Sequence, residues 1–337
     1  MSLEQILIKK DLKRYLMLVK GDDVMRIPIF LFLGLLESGK TAFIKQLLQK
    51  PVFADGKDTL VIACEEGIEE YEKLQLEKNH ITLVTVDSEV ELTSSYIKKL
   101  NSQYTPQRVI IEYNGMWQLE KVFTLDLPND WFIYQVMNLI NAETFSLYMA
   151  NMRSIMMEHC RYSDLVIINR TVEETSISSI RGTVKAVNSR AKLFIASSTF
   201  EMEAVKEVLP YNLEEELIEI ADEHYGLWYI DLWENPERYD KKKFKVSGLF
   251  FQQPDDPKDR FSFGRFAMPC CEEDITFMGV YCHNIGKPKF HDQDSIQIVA
   301  EVRYEKEAVY QGEAGPVLYV KSIERAATAQ SEFVIFN

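Results

Sequence analysis

Apolar residues fall in two rhythms along this 337-residue chain. In the first part, short runs that are almost wholly apolar alternate with stretches of helical spacing. The runs at 27–33, 60–63, 81–86, 108–112, 132–140, 164–168 and 192–196 predict strands buried on both faces. Residues 41–49 place Phe43, Ile44, Leu47 and Leu48 on one helical stripe, and 91–100, 142–161 and 173–187 also have helical length and spacing. Strands alternating with helices in this way imply right-handed crossovers and a mostly parallel sheet, an α/β fold. Near residue 200 the rhythm changes. Residues 212–225 read as a short acidic helix, and from Lys241 onward five short strands follow, at 244–251, 261–268, 277–282, 295–304 and 317–323. Turn residues separate them, among them Pro254, Pro257, Gly286, Pro288, Gly312, Gly315 and Pro316. Five antiparallel strands in so short a segment suggest a small closed all-β barrel, OB-like in kind. The expected organisation is a leader over 1–25, an α/β domain over 26–205, a helical linker over 206–240 and a β domain over 241–337. Ile8, Leu12, Leu16 and Val19 could form one stripe of an extra helix in the leader.

Composition narrows the function. The formal net charge is −14, which opposes non-specific nucleic-acid and anionic-membrane binding, since both reward the opposite sign. No apolar run reaches the length of about 18 residues that a membrane-spanning helix needs, so no stable membrane insertion is expected. The N-terminus lacks the long apolar core of a signal peptide. Five cysteines, two of them adjacent, do not read as a disulfide framework. A reducing, cytoplasmic compartment is the simplest expectation.

One stretch carries definite chemistry. Gly34-Leu35-Leu36-Glu37-Ser38-Gly39-Lys40-Thr41 fits G-x-x-x-x-G-K-[ST], with an apolar run before it and a helical stripe from Thr41 and Ala42 after it. Glycines let the backbone wrap a phosphate chain with its N–H groups turned inward. Lys40 can reach the β- and γ-phosphates, and the Thr41 hydroxyl can ligate Mg²⁺. Glu112 ends an apolar run and is followed by Tyr113-Asn114-Gly115. A carboxylate there can hold the Mg²⁺ water shell, and an N–H at Gly115 can sense a γ-phosphate. Cys64 stands among Glu65, Glu66, Glu69 and Glu70. It is either a thiolate–carboxylate metal site or, the preferred reading, a small buried thiol at a strand end.

Residues 34–41, then Glu112-x-x-Gly115, then Asn169-Arg170-Thr171 after an apolar run, together resemble the CobW/UreG/HypB-type metal-chaperone GTPases, nearest the CobW branch. The second strand of that family ends in Asn-Glu-x-Gly, where this chain has Cys64-Glu65-Glu66-Gly67. The resemblance spans about residues 26–200. It implies a SIMIBI-class GTPase that couples GTP hydrolysis to metal delivery to a metalloprotein client, often as a nucleotide-gated homodimer. It also implies roles. Gly34, Glu37, Ser38, Gly39, Lys40, Thr41, Ala42, Asn169 and Arg170 would bind GTP (or ATP). Lys40, Glu112 and Gly115 would serve catalysis, and Thr41 and Glu112 would hold Mg²⁺.

Two departures stand out. The family reads guanine with Asn-Lys-x-Asp, whereas this chain has Asn169-Arg170-Thr171-Val172. Valine accepts no hydrogen bond, and Glu173 lies one residue late, so base selectivity is expected to be poor. The family's Cys-x-Cys-Cys motif is absent. A different cluster lies in the β domain: Cys270, Cys271, Cys282, His283 and then His291, a candidate Zn²⁺ set set against buried thiols in a barrel. This segment begins with Gly264-Arg265-Phe266. Together with Gly315-Pro316-Val317-Leu318-Tyr319-Val320 it resembles the C-terminal domain of bacterial permease-accessory proteins. His80, His159 and His224 read as surface or packing residues, and aromatics such as Trp228, Trp233, Phe250, Phe251, Phe263 and Phe266 as core. Two functions follow: a slow GTPase linked to zinc handling, or a non-catalytic nucleotide-binding scaffold or switch whose cysteine-bearing barrel binds a partner or metal.

Overall fold

The computed structural model describes residues 26–65, 71, 80–173, 175–188, 190–199, 201–205, 209–254, 256–268, 275–284, 286, 289–310, 312–326 and 333–334. The leader 1–25, Glu66 and Gly67 of the second-strand motif, and Cys270 and Cys271 lie outside these residues. The chain divides into two compact units, one of residues up to 175 together with 190–205, the other of 176–189 together with 206 onward.

In the first unit, the apolar runs become β1 (Ile27–Leu33), β2 (Thr59–Ala63), β3 (Ile81–Thr85), β4 (Arg108–Glu112), β5 (Trp131–Asn141), β6 (Leu165–Asn169) and β7 (Lys192–Ala196). A three-residue edge strand, β8 (Met202–Ala204), pairs antiparallel with β7; it is too short to leave a pattern in the sequence. Among the described residues the order is β3-β2-β4-β1-β5-β6-β7-β8, with every other pairing parallel. The strands are apolar on both faces because both are covered. Phe30 and Phe32 of β1 join one core with Phe43, Ile44 and Leu47 of α1 (Lys40–Leu48). Ile29, Leu31 and Leu33 join the other with Ile97 and Leu100 of α2 (Ser94–Tyr104). Chain order reverses on either side of β1, which pairs with β4 and β5, and ligands of open α/β sheets bind at such a point beyond the strands' carboxyl ends.

Some expected helices shift or divide. α2 starts at Ser94 rather than residue 91 because the Thr93 hydroxyl accepts the Tyr96 N–H at 3.2 Å and caps it. A short α3 (Leu119–Phe123) follows β4. The stretch 142–161 is not one helix but two, α4 (Phe145–Asn151) and α5 (Arg153–Tyr162), parted at Met152, whose φ of −136° and ψ of 33° leave the helical region.

The second unit contains α6 (Ile177–Val187), capped by Ser176, then β9 (Ile218–Glu219), α7 (Tyr225–Glu234) and α8 (Pro236–Tyr239). The acidic helix expected over 212–225 does not form. The Asn212 side chain accepts the Glu214 N–H in a turn, and β9 is drawn parallel to the following strand, where Lys245 meets Glu219 at 3.0 Å. The five strands expected beyond Lys241 all form: β10 (Lys243–Phe251), β11 (Arg260–Ala267), β12 (Thr276–His283), β13 (Ser295–Lys306) and β14 (Ala314–Arg325). They make a mixed sheet ordered β11-β12-β14-β13-β10-β9, antiparallel except for β12–β14 and β10–β9, and β10 also pairs with β11. Tyr225 and Trp228 of α7 are fully buried with Phe244, Phe261, Phe263 and Ile298, so the segment expected as a linker supplies part of this core.

Candidate nucleotide site

The phosphate-binding loop lies where β1 hands over to α1. Its shape is fixed by three residues in left-handed backbone. Glu37 has φ 59°, and Gly34 and Gly39 have φ 138° and 91°. A Cβ on Gly34 would stand 2.6 Å from the Leu139 carbonyl oxygen, and one on Gly39 would stand 2.6 Å from the Asn169 amide nitrogen. Glycine is therefore required at both positions, sterically as well as by φ.

Lys40 is buried, only 2% exposed. Its Nζ donates to the carbonyls of Gly34 and Leu35 at 2.8 and 3.1 Å and pairs with Glu65 at 2.6 Å. Its three N–H donors are thus all used, one of them by a carboxylate. Thr41 donates its hydroxyl to Glu112 Oε1 at 2.5 Å, and Tyr71 donates its own to Glu112 Oε2 at 2.6 Å. Glu112 is 1% exposed at the end of β4. Burial raises its carboxyl above the usual range, while the Thr41 and Tyr71 hydroxyls and the Lys40 ammonium pull the other way. Gly115 sits against the loop: a Cβ there would be 2.3 Å from the Gly34 carbonyl oxygen. Asn169 ends β6 and donates Nδ2 to the Ser38 carbonyl at 2.7 Å. The structure therefore brings Gly34, Ser38, Gly39, Lys40, Thr41, Glu112, Gly115 and Asn169 together from three separate segments. Arg170 follows in left-handed backbone (φ 50°) and is exposed. Val172 is 52% exposed, its N–H bonded to the Thr175 hydroxyl at 2.9 Å.

Behind the loop, His159 of α5 lines a small cavity with Ser38, Asn138, Asn141 and Tyr148. His159 is a core residue, and its Nε2, like the Ser38 Oγ and the Asn169 Oδ1, is buried without a hydrogen-bond partner. Burial, helped by the nearby Lys40 ammonium, holds its imidazole down at about 4. Two residues join this cluster without a signal of that role in the sequence: Glu65, which pairs with Lys40, and Tyr71, which stands out only as the sole aromatic in an acid-rich run.

The cysteine readings divide. Cys64 is buried, and burial together with the Glu112 and Glu65 carboxylates pushes its thiol up to about 12, so it is a protonated packing group. Cys282 and His283 were candidates for one ion, but they are neighbours on β12 and face opposite ways. Cys282 is fully buried in the second unit's core, and its thiol is pushed well up by burial. His283 points outward, its Nε2 2.7 Å from Glu307 Oε1. Among the described residues no group of three or more His, Cys, Asp or Glu side chains is placed to hold a metal ion.

Fold and site define a P-loop nucleotide-binding protein of α/β type. Residues 28–195 belong to the CobW/HypB/UreG nucleotide-binding domain family, and residues 195–336 to the DUF1980 C-terminal domain family. Among solved structures, the chain is similar to Zn(II)-bound YjiA GTPase from E. coli at 13% identity, covering 80% of this chain and 92% of that one, with a TM-score of 0.40. HypB from Archaeoglobus fulgidus matches at 15% identity over 57% of this chain and 89% of that one, TM-score 0.38. HypB from Helicobacter pylori in complex with nickel matches at 16% over 58% and 86%, TM-score 0.35. The sequence matches no curated protein.

Proposed function

We propose that this chain binds a nucleoside triphosphate with Mg²⁺ at the loop of residues 34–41 and hydrolyses it slowly as a GTPase-like switch. The observation that carries the reading is the meeting of the Thr41 hydroxyl with Glu112 Oε1 at 2.5 Å beside the buried Lys40. A hydroxyl and a carboxylate, both hard oxygen donors, suit Mg²⁺, which usually takes one or two protein ligands and completes its shell with phosphate and water. When bound, Mg²⁺ supplies positive charge to the phosphate oxygens. The protein's own groups do the rest. The N–H groups of residues 35–41 cradle the phosphates, and Lys40 exchanges Glu65 for a phosphate oxygen. The Gly115 N–H meets the γ-phosphate, while Asn169 holds the loop in shape through Ser38.

The family supports a link to metal handling, with zinc delivery to a metalloprotein client, a homodimeric active form and a cytoplasmic site of action. Among the described residues no helix is long and apolar enough to cross a membrane. In the second unit the ring of pairings β10-β11-β12-β14-β13 supports an OB-like barrel, since it links the strands in the order first, second, third, fifth, fourth. With Cys282 turned into that core, any zinc carried by this unit would fall to Cys270 and Cys271. A second reading, a nucleotide-binding switch with little turnover, is favoured by the exposed Val172 where a base-reading carboxylate belongs.

Phosphate release from GTP and from ATP, with and without Mg²⁺ and Zn²⁺, tests the proposal. Mg²⁺-dependent turnover that is lost in Thr41→Ala supports hydrolysis. Tight binding without turnover selects the switch. Absence of nucleotide binding overturns both.

A further inference from the structure

We propose that Tyr71 is a positioning residue of the phosphate site: its hydroxyl fixes the Glu112 carboxylate which, with Thr41, takes the Mg²⁺ of a bound nucleoside triphosphate. The inference rests on the nucleotide reading above. It starts from the two oxygens of Glu112. The side chain is 1% exposed, so bulk water cannot orient it. An ionised carboxylate only accepts hydrogen bonds. Here one oxygen accepts from Thr41 at 2.5 Å and the other from Tyr71 at 2.6 Å. Bonds of that length between a hydroxyl and a carboxylate are charge-assisted and roughly twice as strong as neutral ones.

The direction of donation matters. Thr41 gives its proton to Glu112, so the lone pairs of the Thr41 oxygen are turned away from Glu112 and are available to a cation. Glu112 thereby orients Thr41, and Tyr71 orients Glu112. Remove the Tyr71 hydroxyl and Glu112 can rotate about its last side-chain bond, loosening both oxygen donors at once. The Tyr71 ring itself is half-buried and packs against the core cluster that holds α1 to the sheet, so the hydroxyl is delivered from an anchored ring. Groups that orient a metal ligand from behind typically change metal affinity by about 10–100-fold when removed. The role is confined to the metal-bearing complex, because Tyr71 bonds neither Lys40 nor the loop carbonyls that Lys40 uses.

The test uses the full chain and Tyr71→Phe, which keeps the ring and deletes only the hydroxyl. A fluorescent, non-hydrolysable GTP or ATP analogue reports nucleotide affinity, first in EDTA and then across a Mg²⁺ titration. The expected result is a half-saturating Mg²⁺ concentration raised by about tenfold, with affinity in EDTA unchanged within about twofold. Adding Tyr71→Phe to Glu112→Gln should then shift the Mg²⁺ midpoint no further, since both remove the same arrangement. An unchanged midpoint in the single variant, with a normal Mg²⁺ response in the wild type, overturns this inference and leaves the nucleotide reading standing. Equal weakening with and without Mg²⁺ also overturns it, because it marks a ring that merely packs the site. A wild type that binds no nucleotide in either condition takes down the nucleotide reading and this inference with it.

Discussion

At the scale of the residue, the site is filled by its own side chains. The Lys40 ammonium has two carbonyls and the Glu65 carboxylate around it, and a phosphate has to take the place of Glu65. Glu65→Gln keeps the shape and removes the competing charge. It should tighten nucleotide binding by about tenfold, or roughly 1.4 kcal/mol; calorimetry showing weaker binding would mean that Glu65 helps the nucleotide rather than opposing it. Lys40→Ala should abolish nucleotide binding while the chain still unfolds cooperatively, at a lower temperature because Glu65 is left without its partner. Base selectivity follows from Val172, which offers no acceptor to a guanine edge. A GTP-over-ATP preference below about a hundredfold, roughly 2.7 kcal/mol, is therefore expected from competition binding. Lys40, Thr41, Glu112, Gly115 and Asn169 were legible in the sequence because phosphate chemistry fixes their spacing within each segment. The Glu65–Lys40 pair and the Tyr71–Glu112 bond were not, because each joins side chains on different segments, 41 residues apart in the second case, and no periodicity records a partner across space.

At the scale of the element, alternation and caps explain what the pattern foretold. The parallel strands announced themselves as apolar runs because both faces of the sheet are covered. β12 shows the other regime, in which Cys282 faces in and His283 out, so two residues adjacent in sequence are split by the pleat. The break at Met152 has neither proline nor glycine to mark it, so continuous helical spacing read as one helix. Backbone contact between elements was also hidden. Gly115 follows β4 and lies on the start of the P-loop so closely that any Cβ meets the Gly34 carbonyl. Gly115→Ala should therefore force the two segments apart. The expected outcome is a loss of about 1–3 kcal/mol in denaturant unfolding, together with weaker triphosphate binding and nearly unchanged diphosphate binding. Equal loss for both nucleotides would show that the segment does not follow the γ-phosphate.

At the scale of the whole molecule, the chain forms two units: the first carries the candidate phosphate site, and the second has its own core around Trp228, Phe244 and Phe261. Only the first contains a buried imidazole, among the described residues. His159 is 2% exposed, and its pKa is lowered to about 4 by burial and by the nearby Lys40. In the unfolded chain the same imidazole titrates at about 6.5. The native state thus holds His159 neutral where the unfolded chain would protonate it, and the unfolded state binds more protons between those two values. Stability from this group is fully present above pH 6.5 and falls as the pH drops through the window, by about 2 kcal/mol at pH 5 and by roughly 3 kcal/mol near pH 4. The loss should appear in the transition that removes the first unit, ahead of any carboxylate effect in the second. His159→Gln keeps a polar side chain of similar reach without a proton to gain in that range. Its stability should fall less than that of the wild type between pH 7 and pH 5, whatever its value at pH 7. Guanidinium melts at the two pH values, followed by the fluorescence of Trp117 and Trp131 in the first unit, measure the difference. If the two proteins lose stability in parallel, His159 is not the group that makes this unit acid-labile.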